Sequence, residues 1–103
     1  MTTRPAIAIP RDKLAVFCRR NHVRKLALFG SVLRDDFGPE SDVDVLVEFE
    51  PGARVGLVKM AGLEIELSAL LDRRVDLRTA PELSRHFRDE VVRGAEVLYV
   101  AGR

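Results

Sequence analysis

The stretch Val43–Phe49 (VDVLVEF) constrains the fold of this chain more than any other. Its valines alternate with other residues and turn formers bound the run, a pattern typical of a half-buried strand. It overlaps a segment from Asp35 to Glu50 that holds seven acidic side chains and no basic one. A charge run is usually a solvated surface, but carboxylates inside a strand need another reason. The chain is therefore expected to form a sheet with acids on one face.

Helical and strand patterns alternate along the rest of the chain, which predicts an α/β fold with a small mixed β-sheet and helices packed on it. Residues 1–9 are expected to be a loose tail and residues 10–103 a single domain. Helices are predicted for the RDKLAVFCRRN segment after Pro10, for Val32–Asp36, from about Val55 to Leu71 and from Pro81 to about Arg93, and further strands for Lys25–Phe29, Arg74–Arg78 and Glu96–Val100.

Composition excludes several classes of protein. The chain has 103 residues, 47% of them hydrophobic and 32% charged, which suits one globular domain. No apolar run approaches a membrane span, and the single cysteine, Cys18, expected in the core, fits a reducing cytoplasm. Because the net charge is only +1, nucleic acid is not expected to be a direct acceptor.

Three aspartates are the candidate catalytic residues. Asp42 and Asp44 are two positions apart and so project from the same side of a strand, while Asp76 lies between the apolar residues of another strand pattern. If these two strands are neighbours, the three carboxylates converge. Their mutual repulsion then calls for cations, and Mg²⁺ is the natural one, with two ions able to clamp a phosphoryl displacement.

Gly30 and Ser31 form the second candidate element. A glycine after a strand lets backbone approach a ligand closely, and a helix that begins at Ser31 would offer free N–H groups to phosphate. A strand, Gly-Ser, a helix start and a following acidic strand together describe a site for a nucleoside triphosphate.

These residues resemble the signature of the DNA polymerase β-like nucleotidyltransferase superfamily, in which Gly-Ser is followed about ten residues later by Asp-x-Asp. The segment GSVLRDDFGPESDVDVLVEF carries this signature, and LLDRRVDLRTAPELSRHFRDEVVRGAEVLY is similar to the C-terminal half of the minimal nucleotidyltransferases (MNT), so the likeness spans about Val23 to Val100.

The resemblance implies a role for each matching residue. Asp42 and Asp44 match the metal-binding catalytic pair, and Asp76 matches the carboxylate that activates the attacking hydroxyl. Gly30 and Ser31 match the pair that holds the triphosphate of ATP. In many relatives a small residue, arginine, glycine and glutamate follow the Gly-Ser pair. This chain keeps the arginine as Arg34 but has Leu33, Asp35 and Asp36 at the other three positions.

MNT proteins resemble the antitoxin half of HEPN–MNT toxin–antitoxin pairs. The resemblance implies transfer of AMP from ATP to a tyrosine of the HEPN-domain toxin, an RNase. Two alternatives stay open at this point. The chain is either a non-catalytic antitoxin that acts by binding, or a nucleotidyltransferase for a small molecule such as an antibiotic, with an acceptor pocket at a homodimer interface. The nucleobase preference and the oligomeric state are also open.

Overall fold

The computed structural model describes residues 9–33, 38, 41–82, 89, 91 and 93–101, without the side chains of Ser31 and Glu82. It is an α/β fold, as predicted. The elements with fully described bounds are the α-helices α1 (Arg11–Arg20) and α2 (Leu57–Leu71), the 3₁₀ turns Gly30–Leu33 and Ala80–Glu82, and the strands β1 (Val23–Phe29), β2 (Val43–Phe49), β3 (Val75–Thr79) and β4 (Glu96–Val100).

The four strands form one mixed sheet in the order β3-β2-β1-β4. β1 is antiparallel to both β2 and β4, whereas β2 and β3 are parallel. Helix α2 lies between β2 and β3 in the chain and forms the crossover connection that two parallel neighbouring strands require. The prediction of a mixed sheet is confirmed.

Both helices pack on one face of this sheet, and the core lies between them. Strand residues that alternate along β1, β2 and β3 meet the apolar stripes of the two helices there. The buried core comprises Leu14, Phe17, Cys18, Val23, Leu26, Leu28, Val32, Val43, Val45, Val47, Leu63, Leu67, Leu71, Val75, Leu77 and Leu98. The opposite face of β2 and β3 carries Asp44, Glu48, Asp76 and Arg78, together with the apolar and buried Leu46.

Helix α1 begins after Pro10, whose carbonyl accepts the N–H of Leu14 at 2.9 Å. Asn21 caps its C-terminal end and is only 8% exposed; its backbone N–H and its Nδ2 both donate to Phe17 O, at 3.2 and 2.8 Å, so these buried polar groups have partners. Asp72 ends α2 in the left-handed conformation at φ 54°. These caps satisfy backbone groups that a helix end leaves without partners.

Several element bounds differ from the sequence prediction. β1 begins at Val23, not at Lys25, because Val23 is fully buried and pairs with Phe49 although charged residues follow it. Ser31 is not the residue before a helix but the second residue of a 3₁₀ turn. The helix predicted to start at Pro81 lies mostly outside the described residues. The described residues in this region that are helical are Asp89, Val91, Arg93 and Gly94.

Within the part of the chain that the structure describes, neither helix is both long enough and apolar enough to cross a membrane.

The thiol of Cys18 is expected to be unreactive in the folded protein. Cys18 is fully buried, and burial raises the pKa of its thiol to about 12, although the nearby Arg19 charge opposes the shift. The thiolate, which is the nucleophile, is therefore almost absent near pH 8. Titration with a thiol-specific disulfide reagent should show no rapid reaction in buffer and one thiol per chain in denaturant. Rapid reaction of the native protein would contradict this burial.

Candidate active site

Asp44 and Asp76 lie side by side on neighbouring strands. They are register partners in the parallel pair of β2 and β3, where adjacent strands are about 4.8 Å apart. Their neighbours along each strand are buried under the helices, so both aspartates face the opposite side of the sheet. These buried neighbours are Val43, Val45, Val75 and Leu77. The two strands are thus neighbours, as the convergence of the acids requires.

Asp42 lies one residue before β2. Its Oδ1 is 3.9 Å from Arg74 Nε, and both side chains are well exposed, at 48% and 83%. The N–H of Val43 donates to Arg74 O at 2.8 Å. The segment that carries Asp42 therefore runs beside the segment that enters β3, at the same end of the parallel pair as Asp44 and Asp76.

Asp76 is paired with an arginine of its own strand. Arg78 donates from Nε to Asp76 Oδ1 at 3.1 Å and from Nη2 to Oδ2 at 3.3 Å, with the two side chains 49% and 36% exposed. Exposed ion pairs contribute only about 0–1 kcal/mol. Another cation can therefore replace Arg78 at Asp76, or Arg74 at Asp42, at a small cost in free energy.

Gly30 is in direct contact with this acidic site. Its φ is +76°, which L side chains rarely adopt, and a Cβ placed there would stand 3.2 Å from Asp44 Cγ and closer still to the carboxylate Oδ2. The contact arises because Phe29, just before Gly30, is the register partner of Asp44. The sequence predicted that the backbone at Gly30 approaches a ligand closely. In the described structure, the group that lies closest to this position is the Asp44 carboxylate.

The other two predicted phosphate-binding residues are described in part or not at all. The backbone of Ser31 follows Gly30 in the 3₁₀ turn, so the Gly-Ser pair lies beside Asp44. The side chain of Ser31 and all of Arg34 lie outside the described part of the structure. Their roles in holding a triphosphate remain predictions.

The acidic residues suit a hard divalent cation. Carboxylate oxygens are the ligands that Mg²⁺ prefers, and Asp44 and Asp76 share one face of adjacent strands. In the described residues, no three His, Cys, Asp or Glu side chains are grouped as a ready ligand set. Asp42 and Asp76 each face an arginine instead. The residue types and register therefore fit a magnesium ion, provided that the arginines give way.

Two side chains of α2 hold β3, which is an edge strand of the sheet. Leu77 N–H donates to Glu64 Oε2 at 2.8 Å, and Val75 N–H donates to Ser68 Oγ at 3.0 Å. These two N–H groups flank Asp76 on either side. Glu64 and Ser68 therefore fix the position of the strand segment that carries Asp76.

Glu64 and Ser68 were not among the residues predicted from the sequence to belong to the site. The available signal was a pair of polar residues four apart, which share one face of a largely apolar helix. Arg73, which donates to two carbonyl groups of the segment before Asp42, was not predicted either. No local pattern distinguishes Arg73 from the adjacent Arg74.

Comparison with known proteins assigns the chain to a family. The profile of the family described as "Nucleotidyltransferase domain" matches residues 11–98. This chain belongs to the nucleotidyltransferase domain family. It is 42% identical over 78 residues to the protein adenylyltransferase MntA of Thermococcus cleftensis, an alignment that covers 76% of this chain and 75% of the relative.

Solved structures show the same nucleotidyltransferase fold. One, described as a minimal nucleotidyltransferase, superposes with a TM-score of 0.67 at 33% identity and covers 87% of this chain and 88% of that chain. Another is the complex of a tri-AMPylated Shewanella oneidensis HEPN toxin with its MNT antitoxin, with a TM-score of 0.62 at 24% identity over 88% of this chain and 70% of that chain. The fold and family expected from the sequence are confirmed.

Proposed function

We propose that this nucleotidyltransferase transfers AMP from ATP to the hydroxyl group of a tyrosine in a HEPN-domain toxin, and that it acts in this way as the antitoxin. The observation that carries the proposal is the side-by-side placement of Asp44 and Asp76 beside Gly30, in a chain that is 42% identical to a protein adenylyltransferase. A protein that neutralises its partner by binding alone has no need to hold two repelling carboxylates together.

The reaction forms one bond and breaks one. The acceptor oxygen attacks the α-phosphorus of ATP, the bond from that phosphorus to the oxygen bridging the β-phosphate breaks, and diphosphate leaves. Asp76 accepts the proton of the acceptor hydroxyl, because its carboxylate lies at the edge of the acidic face, where it is 36% exposed and paired with the exposed Arg78. Breaking that exposed pair costs little, so the carboxylate is available to a substrate.

Asp42, Asp44 and Asp76 are the residues that would hold magnesium, with two ions expected. Bound Mg²⁺ neutralises the charge of the triphosphate and of the acids. Gly30 and Ser31 would contact the triphosphate through the backbone of the 3₁₀ turn, and Arg34 would add a positive charge. Asp44 is held beside Gly30, which aligns the acid with the Gly-Ser pair.

Residues 10–103 would act as one minimal domain in the cytoplasm, and the acceptor would come from the partner protein. A folded partner supplies the orientation of the tyrosine hydroxyl, and orientation is most of what phosphoryl-type transfer requires. The complex of an AMPylated HEPN toxin with an MNT antitoxin supports this arrangement, because it pairs such a toxin with the fold found here.

The test is intact-mass spectrometry of a HEPN-domain toxin from the same genome, mixed with this protein, ATP and Mg²⁺. The toxin should gain about 329 Da per AMP group, and peptide mapping should place the group on tyrosine. An ATP analogue with a methylene group between the α- and β-phosphates should give no gain, since the bond that must break is absent.

Other outcomes assign other functions. A toxin that is inhibited without any gain in mass would show that the protein acts by binding alone. Modification of a small molecule such as an aminoglycoside, with the toxin left unchanged, would show that the acceptor is not a protein.

A further inference from the structure

One arginine links the start of β3 to the turn that precedes Asp42. Arg73 Nη2 donates to Gly38 O at 2.7 Å and to Ser41 O at 3.0 Å. These contacts join segments that are 35 and 32 positions apart in sequence. Hydrogen bonds from a charged guanidinium are about twice as strong as neutral ones, so the pair is a strong tether between the two segments.

The turn that receives Arg73 is closed by its own hydrogen bonds. Ser41 N–H donates to Gly38 O, and Gly38 N–H donates to Ser41 Oγ, both at 3.1 Å. The two carbonyl groups that face Arg73 thus belong to the first and last residues of one closed turn. Arg73 thus binds both Gly38 and Ser41, which are also hydrogen-bonded to each other.

The second of these carbonyl groups, that of Ser41, belongs to the peptide bond that joins Ser41 to Asp42. Ser41 C=O and Asp42 N–H belong to the same planar peptide group. The hydrogen bond from Arg73 to the Ser41 oxygen therefore also fixes the orientation of the Asp42 N–H. On the other side of Asp42, Val43 N–H donates to Arg74 O. Asp42 therefore lies between two backbone anchors, and both of them come from the dipeptide Arg73–Arg74.

Arg73 is itself anchored in the fold. Its backbone N–H donates to Ser68 O at 3.2 Å, and Ser68 Oγ accepts the N–H of Val75 in β3. Its side chain is half-buried, whereas that of Arg74 is 83% exposed and reaches Asp42 only at 3.9 Å. Of the two arginines, Arg73 has the shorter and less exposed contacts, which define a position.

From these contacts we propose that Arg73 is a positioning residue for Asp42: it holds the turn from Gly38 to Ser41, and thereby orients the Asp42 carboxylate toward the metal ions of the acidic site. The proposal rests on the proposed function for the role of Asp42. Arg73 touches neither substrate nor metal, and acts through the turn.

The first readout is amide hydrogen exchange followed by NMR, which requires neither metal nor activity. In Arg73→Ala, the Ser41 amide should exchange about 10-fold faster or more, because the turn loses two charge-assisted hydrogen bonds. The amide of Ala27, in the centre of the sheet, should be unchanged. Arg73→Lys keeps the charge but not the fork geometry, and should be intermediate. Arg54→Ala, which removes an exposed arginine, is the charge-matched control and should match the wild type.

The second readout is the affinity for Mn²⁺ alone, measured by electron paramagnetic resonance. Groups that orient a metal ligand typically change metal affinity by about 10–100-fold, so Arg73→Ala should weaken Mn²⁺ binding by about 10-fold or more. The loss should disappear in an Asp42→Asn background, because a residue that acts through Asp42 has nothing left to orient. A general loss of stability would persist in that background.

The outcomes separate this proposal from the proposed function. An unchanged Ser41 amide, unchanged Mn²⁺ affinity in Arg73→Ala, or a loss that persists without Asp42 would each overturn the positioning role. Faster exchange and a loss of Mn²⁺ affinity that depends on Asp42, in a protein that transfers no AMP, would support the positioning role and refute the proposed reaction.

Discussion

Asp44→Asn is expected to abolish AMP transfer and to leave the fold intact. Asp44 is the register partner of Asp76 and lies against Gly30, so it is the acid at the centre of the site. Asparagine has the same shape but lacks the charge that a cation requires. Loss of one such electrostatic contact at a reacting phosphate should lower the rate by about 10²–10³-fold or more. The measurement is the rate of AMP incorporation into the toxin at saturating ATP.

Stability should change in the opposite direction. Removing one of two neighbouring carboxylates relieves repulsion, so Asp44→Asn should unfold at the same temperature as the wild type or at a higher one. Asp72→Asn makes the same change of charge at an exposed helix end, and is the matched control for transfer. If Asp44→Asn transferred AMP at the wild-type rate, the assignment of the acidic site would be wrong.

Gly30→Ala is expected to impair both stability and transfer. The residue would have to keep φ near +76°, which costs about 1–2 kcal/mol for an L residue. Its Cβ would also displace the Asp44 carboxylate, and forcing atoms into an occupied space costs about 1–3 kcal/mol more. A displacement of that size at the reacting centre should lower transfer by about 100-fold. Urea unfolding without nucleotide measures the first effect.

Gly52 allows the two causes to be separated. Its φ is +88°, but a Cβ there would meet nothing within 4 Å. Gly52→Ala should therefore lose only the conformational part, and should transfer AMP normally. The additional loss in Gly30→Ala should be recovered when Asp44 is also replaced by alanine. Equal losses of stability in Gly30→Ala and Gly52→Ala would show that the contact with Asp44 costs nothing.

The sheet and its acidic face could be predicted largely from the sequence. The strands Val43–Phe49 and Glu96–Val100 have the predicted bounds, and α2 ends at Leu71 as predicted, because strong periodicity and turn residues define them. The start of β1 could not be predicted, since Arg24 and Lys25 obscure the apolar pattern. Burial of Val23 depends on its pairing with Phe49, which is 26 positions away.

The types of residue in the site were predictable, but their contacts were not. The spacing of Asp42, Asp44 and Asp76 indicated one acidic face. The constraint on Gly30 comes from the Asp44 carboxylate across the β1–β2 pair, and the tether from Arg73 comes from a turn more than 30 residues earlier. Such contacts depend on how the elements are assembled, and a local pattern in the sequence contains no information on them.

The hydrogen bonds from α2 to β3 also affect how this protein associates with others. An edge strand normally offers unpaired N–H groups to any extended segment that approaches it. Here Glu64 and Ser68 already accept the N–H groups of Leu77 and Val75, so an incoming strand finds no donor at these positions. A folding intermediate in which α2 has not yet docked lacks this protection. Docking of α2, which fixes the strand segment that carries Asp76, thus also protects this strand against edge-to-edge aggregation.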